Sequence, residues 1–301
     1  MSTNTYKNII LLGAAGDTGK HILPALLADS TFNVTILSRA DSNATFSSNV
    51  KVIKVNYSDK NALTKALVGQ DVLISTVGGE GLHNDFGTTL VQAAIDAGVK
   101  WFIPSEFGAD YADPICTTIP PLAGKLKVIN LLKENQSRIS HTFISTGMFL
   151  NWGFDNGFFG FDVLNRTVTL FDDGKGRVSG TSLPNITKAV VAAIHHPEVS
   201  LNKRIYIADA TFTQEEVLFL FEKYTDIKWT VKHVSTKDLQ KRGDEKIAKG
   251  NIKDAFYDYI KYLIYGGHKV CIFEGRTSNK DLGIPTTSLD QIVKEALQRN
   301  N

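Results

Sequence analysis

Cysteine is scarce in this chain of 301 residues: there are only two, Cys116 and Cys271, far apart and outside any CxxC spacing. That excludes a disulfide framework or a thiolate zinc site as the basis of stability, and it fits a reducing compartment. Net charge is also nearly absent, at +2, so no overall field recommends a nucleic acid or a membrane surface as partner. No apolar run approaches the roughly 20 residues of a membrane span. No His, Asp and Glu cluster has metal-ligand spacing, and no metal is expected. The few strand-like residues before Gly13 are too short for a signal-peptide core, and the terminal Gln298-Arg299-Asn300-Asn301 matches no sorting signal. The expected location is the cytoplasm.

What the chain does have begins at residue 8. The apolar run Asn8-Ile9-Ile10-Leu11-Leu12 leads into Gly13-Ala14-Ala15-Gly16-Asp17-Thr18-Gly19, and a helical pattern opens through His21-Ile22-Leu23. A second apolar run, Asn33-Val34-Thr35-Ile36-Leu37, completes a βαβ unit. This strand, turn and helix suit a dinucleotide. Gly13 permits the tight turn, Gly16 lets the backbone approach a pyrophosphate, and Gly19 lets the helix pack close to the strand. The intervening Ala15, Asp17 and Thr18 present their backbone at the helix N-terminus, whose N–H groups and dipole favour an anion.

The end of the second run selects the cofactor. An NAD site places Asp or Glu there to bond the ribose 2′-hydroxyl. Here Ser38-Arg39-Ala40 stands instead. A guanidinium pairs with a 2′-phosphate, which a carboxylate would repel. The expected cofactor is therefore NADP(H), read by Arg39 with Ser38 as a hydroxyl donor. Asp41 falls past the strand.

Further apolar runs alternate with amphipathic helical stretches up to Ser140–Ser145, the pattern of a doubly wound parallel sheet covered on both faces. The expectation is an α/β protein with an NADP-binding Rossmann domain over residues 1–150. A smaller, mostly α-helical substrate lobe follows over 151–301, with some segments returning to the main sheet. Ligands bind beyond the carboxyl ends of such strands. Thr76, Val77 and Gly78, with Gly79 after them, are placed against ribose and pyrophosphate. Met148 and Phe149, after the sixth strand, are placed near the nicotinamide.

Four segments together resemble the isoflavone reductase-like group of the NmrA-like, atypical short-chain dehydrogenases, which includes phenylcoumaran benzylic ether and pinoresinol-lariciresinol reductases. They are the glycine turn, Ser38-Arg39, Ser75-Thr76-Val77-Gly78, and Ala97-Gly98-Val99-Lys100-Trp101-Phe102-Ile103-Pro104-Ser105-Glu106-Phe107-Gly108. The resemblance implies one catalytic residue, a lysine opening the helix after Pro-Ser-Glu-Phe-Gly. Lys125 matches that position, and it also lies toward the cofactor. Lys127, two residues on, cannot share its face. The implied activity is NADPH-dependent reduction of a small aromatic or conjugated substrate, with Lys125 as general acid or base. Such families also contain NADP(H)-sensing proteins that act on a regulatory protein partner without turnover, and the same glycine turn and Arg39 would serve one. Retention of Lys125 favours the enzyme.

Other motifs have plainer readings. Tyr257-Asp258-Tyr259-Ile260-Lys261 has the Tyr-xxx-Lys spacing of ordinary short-chain dehydrogenases, but it lies deep in the second half and reads as one turn of a lobe helix. His195-His196-Pro197 reads as a helix end. Phe154, Phe158, Phe159 and Phe161 fit either a substrate pocket or lobe core.

Overall fold

Strands that are apolar along their whole length need cover on both faces, and the helices between them supply it. In the computed structural model, which describes residues 6–78 and 85–300, the first half runs β1 (Asn8–Leu12), α1 (Gly19–Ala28), β2 (Asn33–Arg39), β3 (Lys51–Val55), α2 (Lys60–Leu67), β4 (Val72–Ser75), α3 (Phe86–Asp96), β5 (Trp101–Ile103), α4 (Ala123–Glu134) and β6 (Ser140–Ser145). The second half continues with β7 (Met148–Phe149), α5 (Leu150–Asp155), β8 (Phe161–Asp162), β9 (Thr167–Phe171), β10 (Val178–Thr181), α6 (Leu183–His195), α7 (Pro197–Ser200), β11 (Lys203–Tyr206) and β12 (Ala210–Phe212). It ends with α8 (Gln214–Thr225), β13 (Thr230–Val234), α9 (Thr236–Ala248), α10 (Ile252–Tyr265) and α11 (Leu289–Arg299). Gly79 lies outside the described residues.

The main sheet has seven strands in the order β11-β6-β5-β4-β1-β2-β3. Every pairing from β3 across to β6 is parallel. This is the expected doubly wound α/β fold. Strand order reverses between β1 and β4, the crevice where such sheets bind ligands. Ile9 to Leu12, Val72 to Ile74, Trp101 and Ile103 are fully buried. The start of β1 is pinned by a carboxylate: Lys7 N and Asn8 N donate to Asp71 Oδ2 at 3.0 and 2.9 Å, while Lys100 Nζ holds Oδ1 at 2.7 Å.

Two compact units divide the described residues, each assembled from three stretches of chain. The first takes residues 6–106, 122–144 and 187–205 and carries the main sheet. The second takes 107–121, 145–186 and 206–300. It contains two small sheets, β12-β10-β7 and β13-β9-β8, with α5 and α8 to α11. Gln214 ties this unit together. Its buried amide donates to the carbonyls of Phe159 and Thr169 at 2.8 and 2.9 Å and accepts from Phe171 N at 2.8 Å. Phe154, Phe159 and Phe161 are each 1 % exposed and pack with Phe221 as core, whereas Phe158 is only half-buried. No described helix is long and apolar enough to cross a membrane.

Candidate functional site

The glycine bend is fixed by sterics that leave little choice of residue. Gly13 has φ +84°, and a Cβ there would sit 2.7 Å from Thr76 Oγ1. A Cβ on Gly19 would collide with the carbonyl oxygen of Gly13. A Cβ on Gly16 would meet only Gly13 O, at 3.3 Å, and otherwise faces open space. Thr76 closes the bend from β4: its hydroxyl donates to Leu12 O and Gly13 O at 2.9 and 3.0 Å, and its N–H donates to Leu12 O at 2.9 Å. Val77 follows half-buried and Gly78 exposed, with no atom within 4 Å of where a Cβ would be.

The crest of the bend is open. Ala15, Gly16 and Asp17 are exposed, and the N-cap of α1, Thr18, makes no side-chain capping bond. No side chain caps α1, and Lys20 N and His21 N donate to the carbonyls of Gly16 and Thr18, so it is the exposed crest at Ala15 to Asp17 and the positive end of the helix that an anion can reach. Asp17 is the one unfavourable charge there, and Lys20 Nζ holds it at 3.0 Å. At the end of β2, beside β1, Ser38 is buried while the Arg39 side chain is 65 % exposed and, among the described residues, pairs at 3.6 Å with Asp41. The residues present thus fit a dinucleotide carrying a 2′-phosphate.

Lys125 and Lys127 part company on α4. Lys127 is exposed, with Asp85 at 3.5 Å. Lys125 is 8 % exposed. Its Nζ donates to the backbone carbonyl of Ser105, in the loop that leaves β5. It also lies 3.8 Å from Glu106 Oε1, and Arg204 Nη2, on β11, lies 3.6 Å from Glu106 Oε2. Glu106 is 1 % exposed. The guanidinium of Arg204 sits over the Phe143 ring, 5.0 Å from its centroid.

Three ionisable groups thus share one dry space. Burial pushes the Lys125 ammonium below its ordinary pKa; Glu106 opposes that shift and the like charge of Arg204 adds to it. Burial likewise raises the Glu106 carboxyl, against the pull of the two cations. Neighbouring His141 on β6 is held down to about 4 by burial, with Lys133 and Arg204 adding to it. The arrangement with least buried net charge is one ion pair, Arg204 with Glu106, beside a neutral Lys125 amine.

Sequence reasoning gave Glu106 no individual role and passed over Arg204. Glu106 had a signal, its place in Pro-Ser-Glu-Phe-Gly. Arg204 had none. Met148 and Phe149 belong to the second unit, where β7 pairs with β10; Met148 is 4 % exposed and Phe149 half-buried. Tyr257 and Lys261 both lie on α10, as one turn of a helix in that unit. His195 does more than end a helix: its Nε2 lies 2.6 Å from Asp29 Oδ2 and its ring stacks on Phe32. Among the described residues no cluster of three or more His, Cys, Asp or Glu could hold a metal.

Sheet order, glycine bend and exposed arginine together define a Rossmann-type dinucleotide-binding protein. More narrowly, the chain belongs to the NmrA-like family, whose profile matches residues 5–257. It is 31 % identical to the oxidoreductase aprR of Aspergillus flavus, over 96 % of this chain and 98 % of that one. It is 27 % identical to the bifunctional pinoresinol-lariciresinol reductase 2 of Thuja plicata, over 77 % and 79 %. In fold it is similar to leucoanthocyanidin reductase of Vitis vinifera solved as a binary complex with NADPH: TM-score 0.74, 21 % identity, covering 97 % of this chain and 99 % of that one.

Proposed function

We propose that this chain is an NADPH-dependent oxidoreductase, a reductase acting on a small aromatic or conjugated substrate, with Lys125 moving the accompanying proton. The names of its relatives, an oxidoreductase and a pinoresinol-lariciresinol reductase, support the class, and the NADPH complex of its structural neighbour supports the cofactor. When bound, NADPH supplies the hydride.

The chain's own residues do the rest. The exposed bend at Ala15 to Thr18 and the positive end of the α1 dipole hold the pyrophosphate. Thr76 to Gly78 border it from the neighbouring strand. Arg39 takes the 2′-phosphate, for which it must leave its loose contact with Asp41. Lys125, oriented by its bond to Ser105 O, is the proton carrier. As a neutral amine it takes a proton from a substrate hydroxyl; as an ammonium it gives one to a developing anion.

The observation that carries this reading is the burial of Lys125 against Glu106 beside the carboxyl end of β5. Burying an amine costs folding free energy, and a non-catalytic NADP(H) sensor gains nothing from that cost. Lys125→Met is expected to lower kcat by about 10²- to 10⁴-fold, the range for a lost general acid or base, with the Kd for NADPH nearly unchanged. Lys127→Met should leave both constants alone. A panel of conjugated carbonyls and phenolic compounds, followed by NADPH oxidation, supplies the assay. Tight NADPH binding without turnover of any member would favour the sensor.

A further inference from the structure

The Tyr-xxx-Lys sequence that fails as a dehydrogenase pair leaves its lysine at a cavity. Within the second unit, β8, β9, α9 and α10 border a space of about 620 Å³, inside the range of small-molecule sites. Phe154, Phe161 and Phe171 lie behind its wall as buried core side chains.

The ionic side chains of the lining, Asp155, Asp162, Arg242 and Lys261, sum to zero, but around Lys261 itself the charges do not cancel. Asp155 is paired with Arg299 at 3.0 Å. Asp162 accepts from Asn165 N and Nδ2 at 3.1 and 2.8 Å. Arg242 is paired with Asp258 at 2.9 Å, and Lys246 holds the other oxygen of Asp258 at 2.6 Å. Lys261 is the cation of the lining that no described carboxylate pairs. Its Nζ lies 5.1 and 5.6 Å from the ring centroids of Phe158 and Phe171. Among the described residues no carboxylate lies within ion-pair distance of it. Burial disfavours its charge; Asp258 opposes that effect, and Arg242 and Lys246 reinforce it. An ammonium so placed gains from an incoming anion twice, by pairing and by relief of repulsion from two neighbouring cations. Arg242, half-exposed and with donors beyond the one given to Asp258, can add a second bond.

We propose that this cavity is a binding site for a small organic carboxylate, its carboxylate on Lys261 with help from Arg242. The proposal goes beyond the reductase reading and needs no turnover, so the two can fail separately.

The test is calorimetry on the full chain with NADP+ bound, using cinnamate and 4-biphenylcarboxylate against their primary amides. The carboxylates should bind the wild-type chain about ten- to a hundredfold more tightly than the amides, the worth of one charge-assisted hydrogen bond. Lys261→Met should erase that preference and Lys261→Arg should keep it, with NADP+ affinity in each variant as the check on folding. Should Lys261→Met not fold, Lys261→Gln and the carboxylate-to-amide ratio of the wild type still decide. Equal binding of acid and amide, no binding of either, or a preference that survives removal of the ammonium would each overturn the site.

Discussion

Arg39 and Lys125 illustrate opposite ways a cation is made useful. Arg39 is exposed, and its value lies in pairing with a phosphate that NADH lacks. Arg39→Ala should therefore weaken NADPH binding by about ten- to a hundredfold, the worth of a charge-assisted pair, and leave NADH nearly unaffected. Fluorescence titration with both cofactors checks this, and a preference that persists would remove Arg39 as the reader. Lys125 is useful because it is buried. The folded chain binds its proton less readily than the unfolded one, so the group contributes a stability term that rises with pH through the folded pKa toward 10.5. Removing Arg204 deletes the like charge that disfavours the ammonium and leaves Glu106 to pair with Lys125 alone. Arg204→Met should then move the Lys125 limb of the pH–rate profile to higher pH, whichever direction of proton transfer is rate-limiting. Glu106→Gln should move it to lower pH. A limb that stays fixed in both variants would mean that another group titrates.

At the scale of elements, legibility followed distance along the chain. β1, the bend and α1 are contiguous, so periodicity and glycine spacing sufficed to read them; β6 was equally clear, at Ser140–Ser145. The lysine choice on α4 came from resemblance, and burial then distinguished Lys125 from Lys127. What stayed hidden depends on long-range contact. Thr76 locks a bend more than sixty residues before it in the chain. Arg204 reaches Glu106 only because β11 is the edge strand beside β6. Of the strands in the two small sheets, β9 is legible from its alternation, whereas β7 and β8 are two residues long, too short for alternation to register. Phe154, Phe159 and Phe161 show the same limit. An aromatic run signals burial, but whether it floors a cavity or fills a core depends on β9 and α10, which composition does not connect to it.

The molecule as a whole is not two beads in chain order, and that has a consequence for dissection. The first unit draws on residues 187–205, well beyond the end of the sixth strand. That stretch contributes fully buried Ala189, Val190, Ala193 and Ile194, of which Val190 and Ile194 are worth about 1.5–3 kcal/mol of burial apiece. It also satisfies polar groups of β6: Thr142 Oγ1 donates to Ser200 O at 2.7 Å, His141 N donates to Asn202 Oδ1 at 3.0 Å, and Asn202 N donates back to His141 O at 2.7 Å. A fragment of residues 1–150 keeps every cofactor-binding element of the first unit yet exposes β6 as an unpaired edge and leaves Glu106 without Arg204. The loss is comparable with the roughly 5–15 kcal/mol that holds a domain folded. The fragment should show no cooperative thermal transition and no NADPH binding, whereas the full chain shows both. A soluble fragment that melts cooperatively and binds NADPH would mean that the nucleotide unit closes without its returning segment, and that β11 and Arg204 are additions to a site already complete.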